Sequence, residues 1–181
     1  MNKNILIGIT GGIAAYKICS LINFLKKERV EVKVILTEAA QKFITPLTFQ
    51  TLSGNTVYTD MFKIIDTTQV EHIALAKWCN LMLVAPATAN TIGKIANGIA
   101  DNLLTTVVMA LPKETPVLIA PAMNTNMWKN EFVQQNIKKL KEIGKYHLIG
   151  PSSGKLACGN EGEGTLINSK EIIAKINALL E

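Results

Sequence analysis

Residues 116–128 read PVLIAPAMNTNMW, a short apolar run followed by a turn that carries polar side chains. The wholly apolar first five residues are typical of a buried strand in a parallel sheet. In open α/β sheets, the residues that follow such a strand lie at the ligand crevice. The pattern therefore makes Asn124 and Met127 candidate site residues. The alternative is that the methionines and Trp128 of this turn pack in the core.

The same order of strand, turn and helix begins the chain. Residues 4–10 (NILIGIT) predict a buried strand, and Gly11 and Gly12 separate it from a helix predicted over residues 13–28. Backbone amides at the start of a helix can bind phosphate, and glycine lets a ligand approach the backbone closely. Because the GxGxxG fingerprint is absent, the two glycines indicate either a phosphate site or simply a tight turn.

A second unit of this kind follows. Residues 31–36 (EVKVIL) predict a strand, and Thr37 stands where a helix over residues 38–44 would begin. Thr37 can cap that helix, bind phosphate through its hydroxyl, or do both. After a weaker pattern, the helix predicted over residues 71–78 (EHIALAKW) carries His72. A lone histidine is more often structural than catalytic, but this one lies just ahead of the next strand.

The third unit has a turn suited to a flat ring. Residues 81–85 predict a buried strand, and PATANT (86–91) leads into a helix that ends near residue 98. Small residues together with Thr88, Asn90 and Thr91 let a ring lie close to the backbone while offering hydrogen bonds, as a flavin or nucleotide requires. The alternative is ordinary helix capping by Thr88 or Asn90.

The remaining pattern completes the fold prediction. It indicates a helix over 100–111, capped by Asp101 or Asn102, then a helix over 131–143 and a strand over 146–149. A last helix is predicted over 172–180, and Asn168 caps it with Glu171 three residues on. Between them, the Gly-rich residues 152–164 predict a flexible surface flap. Strands alternating with helices predict an α/β fold, a three-layer doubly wound parallel sheet of the flavodoxin or Rossmann type.

Composition limits the classes of function. A length of 181 residues, 48% hydrophobic and 18% charged, predicts one globular domain over 1–181. No apolar run is long enough to span a bilayer and no signal peptide is recognisable, so we expect a cytoplasmic protein. The net charge is +5, but the lysines are scattered and no aromatics are interleaved with them, so nucleic acid is not an expected partner. Three cysteines without CxxC spacing indicate neither a disulfide framework nor a metal site.

Several separated motifs occur together in this chain: TGGIAAYK, His72 ahead of a strand, APATANTIGKIANGIADNLLT, PAMNTNMW and ACGNEGEG. Together they resemble the homo-oligomeric flavin-containing cysteine decarboxylases over nearly the full chain. The resemblance is greatest to the stand-alone bacterial branch that decarboxylates 4′-phosphopantothenoylcysteine in coenzyme A biosynthesis. One departure is that Thr165 and Leu166 follow the last glycine, where fused bacterial relatives usually have arginine and methionine.

The resemblance implies FMN as the cofactor, a homotrimer or a dodecamer built from trimers, and a substrate flap over about residues 152–166. The residues implied to bind FMN are Gly11, Gly12, Ile13, Thr37, Thr88, Ala89, Asn90, Thr91 and Ala122. The residues implied to bind substrate are Asn124, Met127, Lys155, Ala157 and Gly159. His72 and Cys158 are the implied catalytic residues, and no metal is implied.

The implied chemistry needs an electron sink, because a carboxylate beside an ordinary carbon has no neighbouring group to accept its electron pair. Oxidation of the substrate's CH2–SH to a thioaldehyde by FMN, with His72 as base, would supply one. Decarboxylation then gives an enethiol, and Cys158 would be the acid for the reductive return to 4′-phosphopantetheine.

Three other functions remain possible at this stage. The first is a peptidyl-cysteine decarboxylase of lantibiotic maturation, which stops at the enethiol. The second is a flavin prenyltransferase, and the third is a regulatory subunit that binds a phosphatase. The cysteine in the flap argues against the first, the PAMNTNMW motif against the second, and the lack of acidic tails against the third.

Overall fold

The computed structural model describes residues 3–62, 70–155, 159 and 161–181. Six parallel strands form one sheet in the order β3-β2-β1-β4-β5-β6. Their bounds are β1 (Asn4–Ile9), β2 (Glu31–Leu36), β3 (Val57–Tyr58), β4 (Leu81–Ala87), β5 (Val117–Pro121) and β6 (Tyr146–Leu148). This is the strand order of the Rossmann fold, which confirms the predicted doubly wound sheet.

The helices connect these strands and cover both faces of the sheet. A 3-10 helix (Ile13–Tyr16) leads into α1 (Lys17–Lys27), followed by α2 (Glu38–Gln41), α3 (Pro46–Ser53), α4 (Glu71–Trp78), α5 (Ala89–Ala96), α6 (Leu103–Ala110), α7 (Thr125–Lys129), α8 (Glu131–Glu142) and α9 (Ser169–Leu180). Strands β7 (Ser152–Lys155) and β8 (Glu161–Thr165) form a separate antiparallel hairpin.

Two apolar layers stabilise the sheet. On one face, α1, α3 and α9 bury residues such as Ile18, Phe49 and Ile172 against it. On the other, α4, α5, α6 and α8 bury residues such as Leu75 and Leu104. All seven residues of β4 are buried, as expected for a central parallel strand that is covered on both faces.

Local sequence signals explain most helix starts. Thr37, Thr88, Asn102 and Asn168 each accept a hydrogen bond from a backbone N–H of the helix that follows, so four predicted caps are confirmed. Each cap satisfies one of the N–H groups that has no partner within the helix.

Three predicted elements differ from the structure. The helix expected over 38–44 ends at Gln41, before turns that lead to Pro46 at the start of α3. Pro86 lies within β4 instead of opening a turn, at an irregularity in the pairing with β5 between Val84 and Ala87. The described residues of the Gly-rich segment form paired strands, which its composition did not predict.

None of the helices that the structure describes has both the length and the apolarity needed to cross a membrane.

Candidate active site

The strand order creates a crevice at one edge of the sheet. The chain leaves β1 toward β2 and leaves β4 toward β5, so the two central strands send their connections in opposite directions. Ligands of doubly wound sheets bind at this switch point, beyond the carboxyl ends of the strands. The residues predicted to bind the cofactor lie in the turns after β1, β2, β4 and β5. Because these strands are parallel, the fold brings those turns to one edge of the sheet.

A buried hydroxyl joins the two central strands at the crevice. Thr10, which is 1% exposed, donates through Oγ1 to the Pro86 carbonyl at 2.5 Å. The same oxygen accepts from the backbone N–H of Thr88 at 3.1 Å. Thr10 therefore fixes the end of β1 relative to the start of α5. Sequence analysis missed this residue because it reads as the last position of an apolar strand.

Gly11 and Gly12 have different roles in the turn. A Cβ on Gly11 would lie 2.5 Å from Cβ of Ala39, so this glycine permits close packing against α2. A Cβ on Gly12 would have no described atom within 4 Å, so the backbone there borders open space. The sequence left a tight turn and a phosphate site as alternatives; the structure shows close packing at Gly11 and open space at the adjacent Gly12. Ile13 follows with 57% of its surface exposed.

Thr37 and Thr88 hold the turns on either side. Thr37 Oγ1 accepts from the Ala40 N–H at 3.2 Å and donates to the Ile9 carbonyl at 3.2 Å. Thr88 Oγ1 accepts from the Thr91 N–H at 3.3 Å. Capping is therefore present at both positions, and both turns lie beside the crevice.

The first turn of α5 and the end of β5 complete this edge. Ala89, Asn90 and Thr91 form the start of α5, where Thr91 is buried and Asn90 is exposed. The backbone N–H of Ala122 donates to the Ala87 carbonyl at 3.1 Å, which joins the end of β5 to the end of β4.

The turn after β5 divides between core and surface. Met123 and Trp128 are partly buried and pack against the apolar core, whereas Met127 is 48% exposed. Asn124 caps α7, because its Oδ1 accepts from the Asn126 N–H at 2.8 Å. Asn124 and Met127 thus remain candidates, while Met123 and Trp128 have the core role that the alternative interpretation gave them.

The hairpin lies on this turn. The backbone N–H of Met123 donates to the Gly164 carbonyl at 2.9 Å. A Cβ on Gly162 would lie 2.5 Å from Thr125 Oγ1, so β8 approaches the start of α7 as closely as a glycine permits. Of the predicted flap residues, Lys155 and Gly159 are exposed. Ala157 and Cys158 lie outside the described residues.

His72 lies in the first turn of α4, partly exposed. Helix α4 runs from the edge where the other turns meet back to the start of β4. His72 therefore lies at the end of α4 nearer that edge, and about 10 Å of helix separates it from the other end. A cation-π contact anchors the other end, where Lys33 Nζ lies 4.5 Å from the centre of a Trp78 ring. Burial lowers the pKa of Lys33. Burial, together with the charge of Glu71, raises the pKa of Tyr58 on the adjoining edge strand.

A cavity of about 490 Å³ opens next to Thr37, between the ends of β2 and β3 and the start of α6. Thr37 lines it together with Glu38, Asp60 and Asp101, and these three carboxylates make the cavity itself a poor site for a phosphate group. Asp101 pairs with Lys94 at 2.6 Å, and this hydrogen bond lowers the pKa of its carboxyl group. Sequence analysis did not predict the cavity, because its lining residues come from four separate segments.

Known proteins share the sequence and the fold. The family model described as Flavoprotein matches residues 1–181. The chain is 48% identical over 180 residues to a probable phosphopantothenoylcysteine decarboxylase of Streptococcus mutans, covering 99% of this chain and all of that protein. It is 49% identical over 172 residues to the coenzyme A biosynthesis bifunctional protein CoaBC of Bacillus subtilis. That match covers 95% of this chain but 42% of the longer protein.

Two solved structures extend the likeness. A cysteine-to-serine variant of a PPC decarboxylase, complexed with pantothenoylaminoethenethiol, matches with a TM-score of 0.88 and 33% identity over 98% of both chains. The FMN-dependent cysteine decarboxylase SpaF matches with a TM-score of 0.84 and 29% identity over 98% of this chain and 95% of that one. By its full-length match, its fold and its crevice, this chain belongs to the Flavoprotein family.

Proposed function

We propose that this protein decarboxylates 4′-phosphopantothenoylcysteine to 4′-phosphopantetheine with FMN as its cofactor, in the cytoplasm. The observation that carries the proposal is the hydrogen bond from Met123 N–H to the Gly164 carbonyl. Through this bond, the hairpin whose connecting residues include Cys158 meets the turn that carries Asn124, at the same edge as the crevice. The relatives named above support the choice of substrate.

The crevice residues fit a flavin nucleotide. Open space beside Gly12 admits a group against the backbone, and the hydroxyl of Thr37 lies at the neighbouring strand end. We assign the phosphate to Gly11, Gly12 and Thr37. The small residues at the start of α5 suit the ring, so we assign it to Thr88, Ala89, Asn90, Thr91 and Ala122, with Ile13 at the rim.

FMN, when bound, would supply a hydride acceptor for oxidation of the substrate's CH2–SH to a thioaldehyde and a hydride donor for the later reduction. The other roles belong to side chains of this chain. His72 takes a proton from the substrate, Asn124 donates hydrogen bonds that orient the carboxylate without neutralising it, and Met127 contacts the substrate. Carbon dioxide leaves as the C=S group accepts the electron pair, which gives the enethiol.

Cys158 then donates a proton to the carbon that lost the carboxylate. The hairpin excludes water from the site, which protects the enethiol until it is reduced. Gly162 permits this closure because any side chain there would meet Thr125. Lys155, Ala157 and Gly159 are assigned to substrate contacts on the hairpin.

We further propose that the protein assembles as a homotrimer or as a dodecamer built from trimers. Exposed apolar side chains support this assembly, since Ile13, Tyr16, Phe43 and Leu47 are each more than half exposed. Exposed apolar patches of this kind are typical of protein interfaces.

A peptidyl-cysteine decarboxylase is the second candidate, because SpaF and the peptidyl-cysteine decarboxylase EpiD share the fold. EpiD matches with a TM-score of 0.80 and 32% identity. The two candidates differ in where the reaction stops, since the peptide-modifying reaction ends at the enethiol.

One assay separates them. The purified protein, as isolated, is given either 4′-phosphopantothenoylcysteine or a peptide with a C-terminal cysteine, without oxygen. We expect carbon dioxide and 4′-phosphopantetheine from the first substrate and no reaction with the second. Reaction with the peptide alone would favour the second candidate, and flavin-loaded protein that converts neither would contradict both.

A further inference from the structure

A second cavity, also about 490 Å³ in volume, lies beneath the base of the hairpin. The start of α1 contributes Tyr16, Lys17 and Ser20, and α9 contributes its first residues. The hairpin contributes residues of β7 and β8, including Lys155 and Thr165. The crevice residues Gly11 and Gly12 do not line this cavity. It is therefore a space separate from the turn of Gly11 and Gly12.

The charges around this cavity favour an anion. Lys17 and Lys155 line it, and none of its lining residues in the described part of the chain is acidic. Neither lysine takes part in an ion pair with a described carboxylate. Glu161 lies opposite Lys155 in the hairpin ladder but does not line the cavity. Ser20, one turn beyond Tyr16 and Lys17 on the same side of the helix, adds a hydroxyl donor.

One face of the hairpin covers both this cavity and the turn with Asn124. Gly154 and Gly162 are paired across the ladder, so their Cα–H bonds point to the same face. On that face, Gly162 approaches Thr125, while a Cβ on Gly154 would lie 3.6 Å from Cγ2 of Thr165. Gly154 and Thr165 also line the cavity, so this face of the hairpin borders both the cavity and the start of α7.

The dimensions suit a long substrate. Gly162 and Thr165 are three residues apart on β8, which corresponds to about 10 Å along the strand. From the carbon that loses the carboxylate to the phosphorus, 4′-phosphopantothenoylcysteine has a chain of single and amide bonds that spans roughly 13 Å when extended. An extended substrate whose carboxylate meets Asn124 is therefore long enough for its phosphate to lie near Thr165, at the cavity.

We propose that the cavity is the subsite for the substrate's terminal phosphate, with Lys17 and Lys155 as its cationic ligands. The proposal rests on the proposed function and adds the group by which the substrate is recognised. Two ammonium groups satisfy a phosphate dianion, and hydrogen bonds between charged groups are about twice as strong as neutral ones. The subsite lets the protein select the phosphorylated substrate over its alcohol.

The test compares two substrates that differ only in this group. We would measure kcat/KM for 4′-phosphopantothenoylcysteine and for pantothenoylcysteine with the wild type, Lys17→Gln and Lys17→Gln/Lys155→Gln. Lys27→Gln is the matched control, because Lys27 is an exposed lysine at the other end of α1. Calorimetry with 4′-phosphopantetheine and pantetheine measures binding without turnover, and titration of the apoprotein measures the Kd of FMN.

We expect Lys17→Gln to lower kcat/KM about 10-fold or more for the phosphorylated substrate, and to weaken 4′-phosphopantetheine binding to a similar extent. Its kcat/KM for pantothenoylcysteine and its Kd for FMN should equal those of the wild type and of Lys27→Gln. The double variant should convert both substrates with nearly equal efficiency.

Three results would overturn the proposal while leaving the proposed function intact. The first is an equal loss of kcat/KM on both substrates in Lys17→Gln, and the second is an unchanged preference for the phosphorylated substrate in the double variant. The third is a raised Kd of FMN for Lys17→Gln, which would mean that the cavity binds the phosphate of the cofactor. A wild type that converts both substrates equally would also overturn it. A flavin-loaded wild type that converts neither would overturn the proposed function and this subsite together.

Discussion

The crevice and the hairpin face the same site, but different forces stabilise them. At the crevice, β4 is buried along its whole length and Thr10 is 1% exposed, so two apolar layers hold the backbone from both faces. In the hairpin, most described residues of β7 and β8 are partly or fully exposed. Its contacts with the rest of the chain include the bond between Met123 and Gly164.

This difference in burial matches the different tasks proposed for the crevice and the hairpin. The proposed cofactor site lies on the stable centre of the sheet. The hairpin, which our proposal requires to open for substrate, has few buried apolar contacts, and local opening costs least in such segments. The following experiments test these proposed tasks.

The largest expected effect is on His72, which belongs to neither region. His72→Asn removes the proposed base but leaves the crevice unchanged, so we expect the protein to keep its yellow flavin and to lose at least about 100-fold in kcat. His147→Asn is the control, because His147 lies on the edge strand β6. Retained turnover in His72→Asn would rule out its role as the base.

The next change affects the hairpin alone. Gly162→Ala puts a methyl group 2.5 Å from Thr125 Oγ1, so β8 must move away from α7. We expect kcat/KM to fall roughly 10-fold or more, because a small misplacement of reacting groups costs this much, while the Kd of FMN stays the same. Ser153→Ala is the matched control, since Ser153 is an exposed residue of β7 that does not line the cavity beneath the hairpin.

A second substitution checks the cause of that loss. Thr125→Ala removes the oxygen that meets the new methyl group, so Gly162→Ala/Thr125→Ala should recover most of the lost kcat/KM. If Gly162→Ala instead weakened FMN binding as strongly as turnover, the two regions would not be independent.

At the crevice, two adjacent glycines offer a sharper comparison. Gly11→Ala clashes with Ala39, whose backbone carbon would lie 2.9 Å away, and we expect it to destabilise the fold by about 1–3 kcal/mol. Gly12→Ala meets no described atom within 4 Å and has an extended backbone with φ −158°, so stability should change by less than about 0.5 kcal/mol.

For flavin binding we expect the opposite order, with the direct effect at Gly12. Gly12→Ala should raise the Kd of FMN because it fills the space assigned to the phosphate. Thermal unfolding of the apoprotein and fluorescence titration with FMN measure the two effects. A Gly12→Ala protein that binds FMN as tightly as the wild type would remove Gly12 from the site.

An effect on stability as large as that of Gly11→Ala is expected from the buried hydroxyl between the central strands. Thr10→Val leaves the Pro86 carbonyl and the Thr88 N–H without this partner, which should cost about 1–3 kcal/mol of stability. Thr10→Ser keeps the hydroxyl and should retain most of that stability. Equal stability of the valine and serine variants, measured by urea unfolding, would show that the hydroxyl does not join the strands.

The last effect concerns the opposite edge of the sheet, develops only above pH 9 and should change neither region. Burial raises the pKa of the Cys79 thiol to about 11 from 9.0, with nearby Lys145 opposing the shift. The neutral thiol stabilises the fold fully below pH 9, and this contribution of at most about 2–3 kcal/mol is lost as the pH rises toward 11.

Urea unfolding between pH 8 and pH 11 measures this dependence. Cys79→Ala should lose less stability than the wild type across that range, while its FMN affinity at pH 7 stays the same. Identical pH profiles for the two proteins would show that Cys79 does not titrate with a raised pKa.

The contrast between the crevice and the hairpin also explains which features the sequence predicts. Apolar runs such as EVKVIL and capping residues such as Thr37 and Thr88 act locally, so a single sequence predicts the sheet and the turns of the crevice. The exposed Met127 and the packed Trp128 have similar local patterns, so the sequence left both roles open.

Long-range contacts were not predictable in this way. Gly162 reads as a flexible loop residue, but its proximity to Thr125 depends on how the hairpin returns to α7. The bonds of Thr10 join residues 76 and 78 positions apart. The pairing of Lys17 with Lys155 in one cavity depends likewise on tertiary structure, although Lys155 alone was a candidate.

The most direct test of the account is the mass of the product formed from 4′-phosphopantothenoylcysteine without oxygen by the wild type and by Cys158→Ser. We expect loss of carbon dioxide alone with the wild type, and loss of carbon dioxide plus two hydrogens with the variant, because the enethiol is then not protonated and reduced. A variant that releases the same fully reduced product as the wild type would contradict the proposed role of Cys158. A wild type that itself stops at the oxidised product would contradict the proposed function.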